Sequence, residues 1–473
     1  MTNSKLVQAT RQYDSLTDNG AVTHSTSLSA CLDMFFLAGA SRRLSEQEII
    51  EVFVKARAEN YRLAYQILFW ARNCRGGAGE KRFFRVIAIY CKKYYADEYN
   101  AVAILVPKYG SWKDLFLIDD VTKDTLSYLW TQMNENPNAN LIFKYFPRKG
   151  PWFVGMHKFL GYSPKVFRKL LASESNTVEQ KLCANIIKAI DYSHVPSVAM
   201  NTYKQTFMIK DSERFNSYIS DVKDGKTKIN ASVLFPHQVL DKLVCDDDGH
   251  HNYHAAEAQW DALPNYMEGS SERILPICDV SGSMTGLPMD VCVALGMYIS
   301  ERNESIFKDA FITFSEDPRM QYVKGDTLLD RVMSLMRADW GMSTNLQATF
   351  DLILNSALRE GVPEYQMPTK LLILSDMEFN YVDSSDANTN LDHIRAKYAE
   401  AGYTMPEIIF WNLNGRVGNV PATNADKNIG LVSGFSPSIL KSILQGKVET
   451  PEELMLKTVE GYKDVVDCLE LFA

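Results

Sequence analysis

The five residues Ile274-Leu275-Pro276-Ile277-Cys278 are apolar from end to end, and the six that follow, Asp279-Val280-Ser281-Gly282-Ser283-Met284, supply one carboxylate and two hydroxyls. Short runs without polar alternation fit strands buried on both faces, and such strands belong to parallel sheets packed between helices. That requirement governs the second half of the chain. Strand-like segments at Ile274 to Val280, Ala310 to Phe314, Leu371 to Leu374 and Glu407 to Trp411 are interleaved with helical patterns at Met289 to Glu301, Thr327 to Met336, Leu346 to Arg359 and near Leu391 to Ala401. A further helix, Pro437 to Leu444, has Ser436 in position to cap it. The alternation predicts a doubly wound α/β sheet, whose crevice opens at the carboxyl ends of its strands.

Polar clusters fall at such ends. Besides the first, Trp340-Gly341-Met342-Ser343-Thr344-Asn345 precedes a long helix, and Ser375-Asp376 follows the apolar run Leu371 to Leu374. Asp279, Ser281, Ser283, Thr344 and Asp376 are then oxygen donors on one sheet edge, with Ser343 able to replace Thr344. Neutral hydroxyls with two carboxylates suit a hard divalent cation, Mg²⁺ foremost, with Mn²⁺ or Ca²⁺ as alternatives. The competing readings are helix caps and turns, or a fold that keeps the residues and binds no ion. Hydrolysis fits poorly: no His or Glu stands beside the cluster as a base, and Glu378 points away from it if the strand continues.

From Ser45 to Leu243 the pattern is helical, with Ile49, Ile50, Phe53 and Val54, then Leu63, Ile67 and Leu68, at three- and four-residue steps. Breaks fall at residues 75–79, 107–111, 147–151 and 161–164. The acidic, His-rich stretch 245–254 reads as a loop; His250, His251 and His254 have no fourth ligand at zinc spacing. With 473 residues, more than one core usually serves, a border near Gly269 gives two domains, 1–268 and 269–473.

Charge separates the halves. Up to position 270 there are 33 Lys+Arg and 29 Asp+Glu; beyond it there are 17 and 29, so the net −8 divides into +4 and −12. Within residues 51–210 the excess is 24 basic over 13 acidic. Lys144-Tyr145-Phe146-Pro147-Arg148-Lys149-Gly150-Pro151-Trp152-Phe153, followed by Lys158, Lys165, Arg168 and Lys169, interleaves cations with rings, as single-stranded nucleic acid requires. Arg72, Arg75, Lys81, Arg82 and Arg85 surround Gly76-Gly77-Ala78-Gly79, a segment without the P-loop spacing, which argues against nucleotide hydrolysis. The plainer reading is of solvated helix faces, with Trp112 and Trp152 in the core. No apolar run spans a bilayer and no signal-peptide layout opens the chain, so a cytoplasmic location is expected, or host cytoplasm for a virus-encoded chain. The eight scattered cysteines suit reduced thiols.

Several stretches carry a family resemblance: TDNGAVTHSTSLSACLDMFFLAGASR, ARNCRGGAGEKRFFR, VPKYGSWKDL, VPSVAMNTYKQTF, DSERFNSYISDVKDGKTKINASVLFPH and ILPICDVSGSM. They resemble a domain-of-unknown-function family of large phages, giant viruses, bacteria and plants, itself distantly similar to the Ro autoantigen proteins. In those, an all-α ring of HEAT-like helices, the TROVE module, is closed by a Rossmann-like von Willebrand factor A domain. The D-x-S-x-S, Thr, Asp set resembles that domain's metal-ion-dependent adhesion site. The resemblance implies that Ser281, Ser283 and Thr344 touch the ion, with Asp279 and Asp376 acting mainly through water. It also implies RNA binding, with single-stranded ends entering the ring's hole and structured RNA on its basic outer face; the chain is then expected to hold single-stranded or partly structured RNA, without catalysis, on a basic array of Arg72, Arg75, Lys81, Arg82, Arg85, Lys144, Arg148, Lys149, Trp152, Lys158, Arg168 and Lys169. The alternative is a metal-dependent adaptor, in which an acidic group of a protein partner completes the ion's coordination. No membrane partner is expected.

Overall fold

The computed structural model describes residues 14–244, 253–314, 318–336, 345–380, 390–444 and 446–471. These form a helical region followed by a six-stranded mixed sheet with helices, and the chain divides into two compact units. One comprises Met1–Phe84, Phe235–Asp247 and Pro264–Val466; the other comprises Arg85–Leu234, Asp248–Leu263 and Asp467–Ala473. This grouping departs from the border expected near Gly269, because the chain up to Phe84 goes with the sheet.

In the sheet-bearing unit, β1 (Ser15–Leu16) and β2 (Val22–Thr23) make a small antiparallel hairpin. The main sheet consists of β3 (Ile274–Cys278), β4 (Ala310–Thr313), β5 (Arg319–Tyr322), β6 (Lys370–Ser375), β7 (Glu407–Asn412) and β8 (Ile429–Ser433), in the order β5-β4-β3-β6-β7-β8. All neighbours are parallel except the edge strand β5, which runs antiparallel to β4. Every residue of β3, β4, β6 and β8 is buried, which is why these strands lack polar alternation. The chain adds β4 on one side of β3 and β6 on the other, so the strand order reverses between β3 and β6.

The helix Ala30–Ala38 accounts for the regrouping. Its sequence ACLDMFFLA is apolar nearly all round, and Cys31, Leu32, Met34, Phe35, Phe36, Leu37 and Ala38 are all buried, the signature of a helix covered on every side. The Ser433 hydroxyl at the end of β8 donates to the Phe35 carbonyl at 2.8 Å, and accepts the Gly39 amide at 2.9 Å. A side chain at Gly39 would place Cβ 2.5 Å from the Gly434 Cα, so only glycine lets the two backbones meet. The next helix, Glu46–Arg72, starts from a Ser45–Glu48 capping box and buries nearly every residue from Leu63 to Arg72.

The other unit is helical throughout its described residues. Phe116, Phe146, Trp152, Phe153 and Phe167 stack edge-on or tilted, with ring centroids 5.1–5.5 Å apart. A second cluster gathers Tyr192, Met200, Phe207, Phe215 and Ile219.

Candidate functional site

The reversal between β3 and β6 opens a crevice at the carboxyl ends of these two strands, the place where doubly wound sheets hold ligands. Asp279 leaves β3 there, its amide bonded to the Leu374 carbonyl at 2.9 Å. Its carboxylate is wholly buried and accepts the Ser375 hydroxyl and, at 3.0 Å, the Ser281 amide. The hydroxyls of Ser281 and Ser283 are 3.1 Å apart. Asp376, 3% exposed, receives a hydrogen bond from Ser283 and accepts the Glu378 amide at 3.2 Å. Four of the five expected donors thus share one hydrogen-bonded chain. Thr344 lies outside the described residues, as do Ser343, His250 and His251.

Burial pushes the Asp279 carboxyl above its ordinary range, against the hydrogen bonds from Ser375 and Ser281. Burial, and then the charge of Asp279, push Asp376 up to about 6. No Lys or Arg among the described residues pairs with either acid, whereas buried carboxylates are ordinarily compensated by a partner or a metal. Two carboxylates without a cationic partner among the described residues, beside two hydroxyls, are a donor set that fits a hard divalent cation. A base is harder to find. Glu378 is buried, but its carboxylate accepts Arg416 Nε and Asn419 Nδ2, each at 3.0 Å, and the Asp18 amide at 2.6 Å.

The cluster has supports that the sequence did not announce. Ser375, which closes the same apolar strand that Asp376 follows, is the residue whose hydroxyl holds the Asp279 carboxylate. Met377 takes a left-handed φ of 66°, with its amide on the Ser375 hydroxyl at 2.9 Å, and so turns the chain sharply just after Asp376. Thr17 donates to the Phe379 carbonyl at 2.7 Å and Asn19 to that of Glu378 at 2.6 Å, so the first described residues brace this loop. Arg43 donates to the Ser283 carbonyl at 3.3 Å. No spacing rule links positions more than 200 residues apart.

The basic residues fare unevenly. Arg72 is 2% exposed and Trp152 is 6% exposed, with its indole N–H on the Phe116 carbonyl at 3.0 Å. Both belong to cores and are corrected from ligand contacts to packing residues. Lys144 is held by Glu179 at 2.8 Å, Arg148 reaches the Leu171 carbonyl at 3.3 Å, Arg82 the Leu44 carbonyl at 2.7 Å, and Arg85 pairs with the buried Asp114 at 2.7 Å. Arg75, Lys81, Lys149, Lys158, Arg168 and Lys169 are exposed. Arg72, Arg75, Lys81 and Arg82 fall in the sheet-bearing unit and the others in the helical unit, so they are not one array within one unit. Rings do reach the surface in the helical unit, among them Tyr94 at 57% and Tyr145, Phe159 and Tyr162 at 37–38% exposed, but Trp152 is not one of them.

Compared with known proteins, the chain is similar to "Uncharacterized protein L728" of Acanthamoeba polyphaga mimivirus, 30% identical over 505 aligned positions that cover 95% of this chain and 87% of that protein. The chain belongs to the family of that giant-virus protein. Two domains of unknown function match within it, DUF2828 over residues 162–272 and DUF7788 over residues 273–468. The second match takes in the whole six-stranded sheet and the oxygen cluster, yet leaves out Ala30–Ala38, which the sheet needs as cover. The family match therefore locates the cluster without naming its ligand. Among the described residues, no helix is long and apolar enough to cross a membrane.

Proposed function

We propose that this family member is a non-catalytic RNA-binding protein of the Ro type, pairing a TROVE-like helical domain with a von Willebrand factor A-like domain. The observation that carries the RNA reading is residues 136–173, with seven Lys and Arg and no Asp or Glu. Lys149, Lys158, Lys165, Arg168 and Lys169 of that stretch are exposed, so the excess faces solvent. Cations without acidic neighbours neutralise phosphates and release counterions. Retention of labelled RNA on filters across a salt series tests it. Five cations on a single strand give a slope of log affinity against log salt of about −3.5, at ~0.7 per phosphate. A flat line would remove the reading.

The A-domain part is supported by the strand order with its antiparallel edge, and by the cluster at the reversal point. Ser281 and Ser283 would hold the cation, with Asp279 and Asp376 behind them. When bound, the ion offers an open coordination position to an acidic group. This same cluster favours the second reading, a metal-dependent protein adaptor. Absorbance near 260 nm in protein purified from cells supports the first; a protein partner released by EDTA supports the second.

A further inference from the structure

The helix Pro151–Phe159 ends in a turn with little freedom. The Gly161 amide bonds to the Lys158 carbonyl at 3.1 Å and the Tyr162 amide to the His157 carbonyl at 2.8 Å, while Gly161 takes a left-handed φ of 68°. That is a Schellman ending, which fixes the residue after the glycine. Ser163 then caps the next helix, Pro164–Ser175, through the Val166 amide at 3.3 Å, with Pro164 in its first turn. Two helix ends are locked together, and the corner between them displays Phe159 and Tyr162, each 38% exposed.

Exposed rings on a rigid corner lose little entropy on binding. Beside them along the chain come Lys158, Lys165, Arg168 and Lys169, all exposed, and no acidic residue occurs between positions 136 and 173 of the sequence. Charge complementarity therefore selects a polyanion, and planar rings select one whose flat groups are free to stack. A duplex hides its base faces; a single strand offers them.

We propose that the 158–169 corner is a stacking platform for the unpaired bases of a single-stranded nucleic acid, with Phe159 and Tyr162 as the stacking rings and the four cations on the phosphates. The proposal rests on the RNA-binding reading and narrows it to the residues that stack and the place in the fold where they do so. It is tested by fluorescence anisotropy of the full chain with a labelled oligouridylate, an oligothymidylate of equal length and a blunt RNA duplex. Wild type is expected to bind both single strands more tightly than the duplex. Phe159→Ala and Tyr162→Ala each weaken single-strand binding by roughly tenfold with the salt slope unchanged. Tyr162→Phe keeps the affinity, since the ring is what stacks. Lys165→Gln with Lys169→Gln instead lowers the slope for every probe. Circular dichroism of each variant checks folding. Binding by wild type that neither alanine change alters, or equal affinity for duplex and single strand, overturns the platform while leaving RNA binding intact. Failure of wild type to bind any probe overturns both.

Discussion

Asp376→Asn separates a metal site from a cluster of caps. In the metal-free protein the Asp376 carboxylate is buried beside that of Asp279, and the rise of its pKa from 3.8 to about 6 costs the ionised form about 3 kcal/mol. Because the folded value lies above the unfolded one, the folded state holds the proton more tightly. Metal-free stability therefore falls as pH rises through the window from about 4 to about 6. A divalent cation that binds the folded state offsets this cost, by about 2.7 kcal/mol at a hundred times its dissociation constant. With 2–4 °C per kcal/mol for domains of a few hundred residues, the melting midpoint of wild type should rise by roughly 5–10 °C on adding millimolar Mg²⁺ near pH 7.5. The asparagine keeps an acceptor for the Glu378 amide but carries no charge, so the variant should melt higher than wild type in EDTA and gain nothing from the metal. Differential scanning calorimetry with Mg²⁺, Mn²⁺ or Ca²⁺ reads both effects. A wild-type midpoint indifferent to all three cations, together with a variant no more stable in EDTA, would refute the reasoning.

Gly39→Ala drives a Cβ to 2.5 Å from the Gly434 backbone and should cost about 1–3 kcal/mol or more in urea unfolding, whereas Gly461→Ala, with nothing within 4 Å, stays within about 0.5 kcal/mol. Equal effects would detach Ala30–Ala38 from the sheet. His237 is half-buried beside Phe235, Phe435 and Arg42; burial first and the Arg42 charge second lower its pKa from 6.5 to about 4. The folded state then resists a proton that the unfolded chain accepts, so stability present above pH 6.5 declines by about 3 kcal/mol on acidification toward pH 4. In His237→Phe that part of the pH profile should be flat, and an unchanged acid slope would show that another group carries it.

The sequence exposed the parts of this fold whose physics is local. β3, β6 and β7 are apolar because they are buried, and the carboxylate and hydroxyls follow them at once, so strand and cluster were legible together. β8 was not, because Gly430 interrupts its run; the structure explains the glycine, since a Cβ there would come within 2.6 Å of Leu454 and 2.8 Å of Ile409. β5 was missed for the opposite reason, an edge strand whose Arg319, Met320 and Tyr322 are exposed and read as loop. An all-apolar helix such as Ala30–Ala38 announces burial but not its partner, which here lies some 400 residues along the chain. Likewise, composition showed rings among cations, but which rings reach solvent depends on helix facing. Trp152 and Phe153 turn inward to Phe116, Phe146 and Phe167, leaving Phe159 and Tyr162 outside.

The position of Glu378 bears most directly on what the oxygen cluster can do. A carboxylate two residues beyond Asp376, on a loop that Met377 turns back on itself, is where a water-activating base would be sought. Both its oxygens are instead committed to Arg416, Asn419 and the Asp18 amide. Those oxygens are held by charge-assisted hydrogen bonds inside a buried network, which leaves neither turned toward a water in the crevice. The same bonds give Glu378 a different task, tying the first described residues and the segment around Arg416 to the loop that carries Asp376. Among the described residues, the carboxylates nearest the crevice thus divide into a pair without a cationic partner and one matched by Arg416, Asn419 and the Asp18 amide. That division is what the proposed ion site would need, an unmatched acidic pair beside hydroxyls and a third carboxylate committed to holding the loop in place.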